Sequence, residues 1–196
     1  MSSFYPLPHL PSTRRFVTGH SADGKAIFTH DDYITAVNPR ADISPENEHS
    51  VPGLYLVHRT TKYPVDPQGP EYELSNENLA RSKNARGDII CEIVDVPPLS
   101  ISSDVNVEEN PVIMHRNQSL DYGVILKGSI TLILDDGVEK TLSEGDVFVQ
   151  RGTMHGWKNT GSDHCRFMTV IIPSAPVKTS ESGSVLQATK FPGLTD

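Results

Sequence analysis

Three side chains in the second half of the chain have the types and spacing to do chemistry: His115, Asp121 and His155. Two imidazoles and one carboxylate converging on a common space make a three-ligand set for a divalent cation, with positions left open for water or substrate. An ion held that way polarises a carbonyl or carboxylate and stabilises an enolate-like intermediate. The same donors also suit ferrous iron and oxygen chemistry. If Asp121 is not a ligand, it becomes the leading general base. Asn117, two residues after His115, offers a weaker fourth oxygen donor. Arg116 and Gln150 are candidates to orient an oxygen-rich substrate, and Gly123, Ile125 and Trp157 to line its pocket.

The elements that must position these residues read as strands. Ile89–Val96 is an apolar, β-branched run stopped by Pro97-Pro98. Val112–His115, Tyr122–Leu126, Ile130–Leu134, Val147–Gln150, His155–Trp157 and Arg166–Ile172 follow, separated by turn signals such as Asp135-Asp136-Gly137. Short strands with turns at roughly eight-to-twelve-residue intervals indicate an all-β sandwich or small barrel. His115 ends one strand and Asp121 begins the next. Alternation places Asp121, Gly123 and Ile125 on one face, and His155 and Trp157 on another. Gly123 would leave space beside an inward-pointing Asp121.

The N-terminal half is less regular. Arg15–Phe28 reads as strand, turn and strand about Ser21-Ala22-Asp23-Gly24, and Leu54–Val57 as a further strand. Asn38–Val51 and Tyr63–Arg86 are polar connections, the second with weak helical patterning over Ser75–Arg86. His9, His20, His30, His49 and His164 have turn or loop neighbours and read as surface residues, and His58 as a rim position.

Two segments carry a family resemblance. His115-Arg-Asn-Gln-Ser-Leu-Asp121, followed by Gly128 after six intervening positions, resembles the first motif of the cupin superfamily. Gly145-Asp-Val-Phe-Val-Gln-Arg-Gly-Thr-Met-His155, with Asn159 beyond it, resembles the second. More narrowly, the chain is similar to small single-cupin proteins of fungal secondary-metabolite pathways. The resemblance implies a single cupin domain over 1–196, a double-stranded β-helix or jelly-roll barrel. Its core would span 88–173, with extra N-terminal strands and loops in 1–87 and a C-terminal arm in 174–196. It implies a divalent metal (Fe, Zn, Mn or Ni) on His115, Asp121 and His155, with Asn117 in the place of the family's second histidine. Asp121 replaces the usual glutamate, Arg151 replaces a proline, Glu109 stands near the place of a glycine, and the second motif is one residue short. The implied activity is a metal-dependent lyase or isomerase, a dehydratase or decarboxylase acting on a polyketide-like substrate. A ferrous-iron dioxygenase and a metal-free binding cupin are the alternatives. Small cupins commonly pair through edge strands or terminal arms, which implies a homodimer.

Bulk properties narrow the partners. Seventeen basic residues stand against 25 acidic ones, a formal net charge of −8, which argues against nucleic acid or an anionic membrane surface. No apolar window reaches the roughly 18 residues of a membrane span, and the first residues lack a secretory pattern. Cys91 and Cys165 lie in strand-like runs and read as buried reduced thiols, consistent with a cytoplasmic protein.

Overall fold

The computed structural model describes residues 10–37, 51–61, 63–69, 88–99 and 112–189. The weak helical pattern over Ser75–Arg86, most of the loop at 38–51, and His9, His49 and Glu109 lie outside the described residues. Ten strands carry the fold: β1 (Thr13–His20), β2 (Ala26–Ile34), β3 (Gly53–Thr60), β4 (Ile89–Val96), β5 (Ser119–Lys127), β6 (Ser129–Leu134), β7 (Glu139–Ser143), β8 (Val147–Arg151), β9 (His155–Lys158) and β10 (Cys165–Pro173). No α-helix occurs among the described residues, and none is therefore long and apolar enough to cross a membrane.

The strands form a five-stranded sheet in the order β3-β4-β10-β5-β8, a three-stranded sheet β7-β6-β9, and the hairpin β1-β2. The two larger sheets pack face to face as a jelly roll, and their ladders do not run continuously into a closed ring. All pairings within them are antiparallel. The tight β6–β7 connection forms at Asp135–Gly137, where Asp136 adopts φ 59° and Gly137 φ 71°. That left-handed geometry suits the Asp-Asp-Gly sequence.

Burial drives the two faces of the five-stranded sheet apart in character. Its inner face joins the three-stranded sheet in one core containing Leu54, Val94, Val96, Ile125, Phe148, Cys165 and Phe167 against Ile130 and Leu142. Part of its outer face is covered by the end of β2, where Ala36 and Ile34 pack on Tyr55, Ile93 and Met168. The N-terminal half thus supplies β3 to the main sheet and a cover for its back. The expected strand at Val112–His115 does not form. His115 makes only an isolated bridge to His155.

A buried ion pair anchors the cover. Arg166 on β10 donates from Nε to Asp95 Oδ1 at 2.6 Å and from Nη2 to Oδ2 at 2.7 Å, while the Tyr55 hydroxyl donates to Oδ2 at 2.7 Å. Arg166 also reaches the Pro11 carbonyl and the Thr13 hydroxyl, tying the start of β1 to the back of the sheet. Asp95 is 2% exposed. Removing its cation leaves a buried, unpaired carboxylate, so Arg166→Ala should destabilise the fold by about 3–5 kcal/mol. Arg14→Ala, which breaks the half-exposed Arg14–Asp31 pair, should leave stability nearly unchanged. Urea unfolding of the two variants checks the contrast, and similar losses would contradict this assignment.

Candidate functional site

The site begins with backbone. His115 N–H donates to the His155 carbonyl at 2.8 Å, and His155 N–H returns a bond to the His115 carbonyl at 2.9 Å. This reciprocal pair brings the two imidazoles together, with ring centroids 4.3 Å apart and planes at 52°. Each ring is oriented by its own chain: Nδ1 of His115 lies 3.1 Å from the Ile113 carbonyl, and Nδ1 of His155 lies 3.0 Å from the Thr153 carbonyl. A carbonyl only accepts, so Nδ1 carries the hydrogen and Nε2 the lone pair in the neutral rings. Metal-ligating histidines take this pose. Burial lowers the pKa of His155, which favours the neutral ligand form.

Asp121 enters from β5, facing the space between the sheets. It stands opposite Gln150 on β8 and Ile171 on β10. Asp121 is 6% exposed and Gln150 4%. Asp121 Oδ1 and Gln150 Nε2 are buried without a hydrogen-bond partner among the described residues, as are the hydroxyls of Ser119 and Thr169. Ser119 shares the Asp121 face of β5 by alternation, and Thr169 pairs with Gly123 on that face. Asp121 Oδ1, Gln150 Nε2 and the Thr169 hydroxyl thus make a polar patch on the inner face, and each such group buried without a partner costs about 1–3 kcal/mol. Desolvation pushes the Asp121 carboxyl up to about 6, with the Ser119 hydroxyl acting in the opposite sense.

The three expected metal ligands divide. His115 and His155 meet; Asp121 is not gathered with them, and among the described residues no three His, Cys, Asp or Glu side chains cluster closely enough to hold a metal ion. Aspartate is one methylene shorter than the family's glutamate, which shortens the reach of this side chain from β5. Two imidazoles are the donors that the described residues bring together, and water or substrate would have to complete the shell of an ion held there. Asn117 is half-buried in the turn between His115 and β5.

Other expected residues take different parts. A Cβ on Gly123 would stand 2.1 Å from Phe148 Cζ, so this glycine seats the Phe148 ring and leaves no vacant space for substrate. Ile125 is 1% exposed and belongs to the core. Trp157 is half-buried, with its ring centroid 5.0 Å from Phe148, 5.1 Å from Phe167 and 6.0 Å from His155. It forms the aromatic base of the site beside the second histidine. Arg116 Nε donates to the Gly152 carbonyl, and its backbone exchanges bonds with Thr189. Asn159 is structural, donating to the Val96 and Asp163 carbonyls. His164, expected at the surface, is 5% exposed where the chain turns into β10.

The sequence reading missed the C-terminal arm's contribution. Ser174 pairs with Gln118, and Val177 lies against Gly152, where an added Cβ would meet its Cγ2 at 2.9 Å. Together with Thr189, these contacts clamp the His115 turn to the turn between β8 and β9. It also missed Thr169, although a lone hydroxyl in the apolar run Arg166–Ile172 was a visible signal.

The cupin-domain family model (Cupin_2) matches residues 104–171, which contain His115, Asp121, Gln150, His155 and Thr169. The cupin-domain-containing oxidoreductase virC of Hypocrea virens is 32% identical over 186 residues, covering 89% of this chain and 83% of its own. The phomopsin biosynthesis cluster protein C' of Diaporthe leptostromiformis is 34% identical over 155 residues, covering 78% and 73%. The chain belongs to the cupin family, and it resembles the cupins of fungal secondary-metabolite pathways. Among solved structures, the polyketide cyclase RemF of Streptomyces resistomycificus aligns over 67% of this chain and 75% of its own, with 19% identity and a TM-score of 0.39. An RmlC-like cupin of Methanocaldococcus jannaschii aligns over 43% and 70%, with 21% identity and a TM-score of 0.35.

The raised pKa of Asp121 has a thermodynamic sign. The folded state holds the proton more tightly than the unfolded chain, so the penalty is absent at low pH, grows above the ordinary aspartate value near 4, and is complete above about 6. Asp121→Asn should match the wild type in stability at pH 4 and exceed it at pH 7.5 by on the order of 2–3 kcal/mol. Urea unfolding at the two pH values decides it. A constant difference would show that Asp121 is not a destabilised carboxylate.

Proposed function

We propose that this cupin is a small-molecule lyase or isomerase, a dehydratase or decarboxylase acting on an oxygenated, polyketide-like substrate in the lumen between the two sheets. One observation carries the reading: Asp121 is a buried carboxyl group on the inner face of β5, its Oδ1 without a hydrogen-bond partner among the described residues and its pKa pushed up to about 6 by desolvation. A group that titrates near neutrality serves as a base in one half of a reaction and an acid in the other. As carboxylate, Asp121 takes a proton from a carbon beside a carbonyl. As carboxylic acid, it protonates the departing hydroxyl in a dehydration or the carbon left after loss of carbon dioxide. The aromatic base of Phe148 and Trp157 excludes water from that exchange.

Metal dependence belongs to this reading, supported by the two Nδ1-anchored imidazoles. A divalent ion (Fe, Zn, Mn or Ni) held through Nε2 of His115 and His155 would supply Lewis-acid polarisation of the carbonyl. A second reading, a ferrous-iron oxygenase or other oxidoreductase, draws support from relatives named as oxidoreductases in Hypocrea virens and Aspergillus ruber. A metal-free binding cupin is the remaining alternative.

The test combines metal analysis with turnover. Wild type, His155→Ala and Asp121→Asn are assayed on β-hydroxy and β-keto polyketide-type esters and acids, with loss of water or carbon dioxide followed by mass spectrometry. Wild-type kcat/KM should rise with pH through about 6 as Asp121 ionises. Asp121→Asn should retain metal and lose roughly 10²–10⁴-fold in rate. His155→Ala should lose the metal and the activity together. Oxygen consumption specific to iron-loaded protein would favour the oxygenase, and a metal-free, inactive wild type would favour the binding cupin.

A further inference from the structure

We propose that Asp121 and Gln150 form a two-point reader for a substrate hydroxyl, with Gln150 Nε2 donating to the hydroxyl oxygen and Asp121 Oδ1 accepting its hydrogen. The inference rests on the lumen being a substrate site, and it assigns the chemical group read there.

The register supplies the geometry. Asp121 and Gln150 are direct partners across the β5–β8 ladder, so both side chains face inward from adjacent positions. Side chains opposite one another in an antiparallel pair have Cβ atoms only about 4.5–5.5 Å apart. Both residues are more than nine-tenths buried, and the two atoms in question are the ones that lack partners. The amide is also oriented. Thr153 Oγ1 donates to Gln150 Oε1 at 2.6 Å, which leaves Nε2 as the group available to the lumen.

The pairing of one donor with one acceptor selects the ligand. A carbonyl satisfies Gln150 and leaves Asp121 bare; an ammonium does the reverse. A hydroxyl oxygen accepts one bond and donates another from a single atom, so it meets both demands at once. The buried hydroxyls of Ser119 and Thr169 extend the polar patch along the same face, while Trp157 and Phe148 make the neighbouring wall aromatic. The ligand class that matches is a hydroxyl borne on an apolar ring or chain, such as a phenol, an enol or a secondary alcohol. A site built to bond a hydroxyl discriminates strongly against the analogue that cannot donate, because its own buried groups are left unpaired.

A trapped water has the same donor and acceptor pattern, and an ion could hold the hydroxyl instead. The test separates the three. Trp157 is the chain's single tryptophan and lies beside the site, so its fluorescence reports occupancy. Resorcinol and 1,3-dimethoxybenzene are titrated into chelator-treated protein and into zinc-loaded protein, using wild type, Gln150→Glu, Gln150→Met and Asp121→Asn. Resorcinol should bind wild type with or without zinc, at least roughly tenfold tighter than the dimethoxy compound, as expected for a buried hydrogen-bonding pair. Gln150→Glu converts the donor to an acceptor and should lose roughly tenfold or more. Gln150→Met removes the donor without adding charge, should show the same loss, and covers the case in which the glutamate variant fails to fold. Asp121→Asn keeps an acceptor oxygen and should bind within roughly threefold of wild type, even though it loses turnover. Equal binding of the two probes, unchanged binding in both Gln150 variants, or no resorcinol binding to wild type overturns the reader and leaves the lyase reading standing. Resorcinol binding that requires zinc overturns it in favour of the ion. Absence of turnover with the predicted binding pattern overturns the lyase reading and leaves the reader standing.

Discussion

The backbone groups of His115 and His155 exchange two hydrogen bonds, and that bridge joins the segment entering β5 of the larger sheet to β9 of the smaller one. The two sheets have no continuous ladder between them, so this reciprocal pair fixes their separation at the end where the site lies. It also fixes the two imidazoles, because each ring is then oriented by a carbonyl two residues earlier in its own chain. The C-terminal arm reinforces the bridge from outside through Thr189, Ser174 and Val177.

Beyond the bridge, packing and polarity are divided along each strand. On β5 the inward positions pass from Ser119 and Asp121 through Gly123 to Ile125, from orphaned polar groups to full core. On β8 they pass from Gln150 to Phe148, and on β10 from Thr169 to Phe167. The inner face is therefore graded, from an aromatic and aliphatic core to a polar end. That core lowers the local dielectric, which raises the pKa of Asp121 and lowers that of His155. Both shifts favour the neutral forms, as expected for a cavity that carries no compensating charge.

Much of this was legible in the sequence wherever a periodic pattern coincided with local chemistry. The strands from β4 to β10 follow β-branched alternation and turn residues, and the inward parity of Asp121, Gly123 and Ile125 follows from alternation alone. The histidine pair followed from the family motifs. What the sequence concealed depends on long-range geometry. Nothing local shows that Phe148 occupies the space beside Gly123, or that Thr189 clamps Arg116 across 73 positions of chain. His164 sits among polar turn residues, yet the packing of the β9–β10 connection buries it. The region before residue 88 was hardest to read, because β3 is separated from β4, its partner in the sheet, by a long polar connection.

The account turns on Asp121 as a buried acid on the inner face of the larger sheet. The most direct measurement is a carbon-13 NMR titration of the aspartate side-chain carboxyl carbons, with Asp121 assigned by its absence in Asp121→Asn. The account predicts a midpoint at about 6 for this carboxyl. A midpoint near the ordinary aspartate value of about 4 would contradict it, since a group that ionises as easily as an exposed one is neither desolvated nor poised for proton transfer at neutral pH.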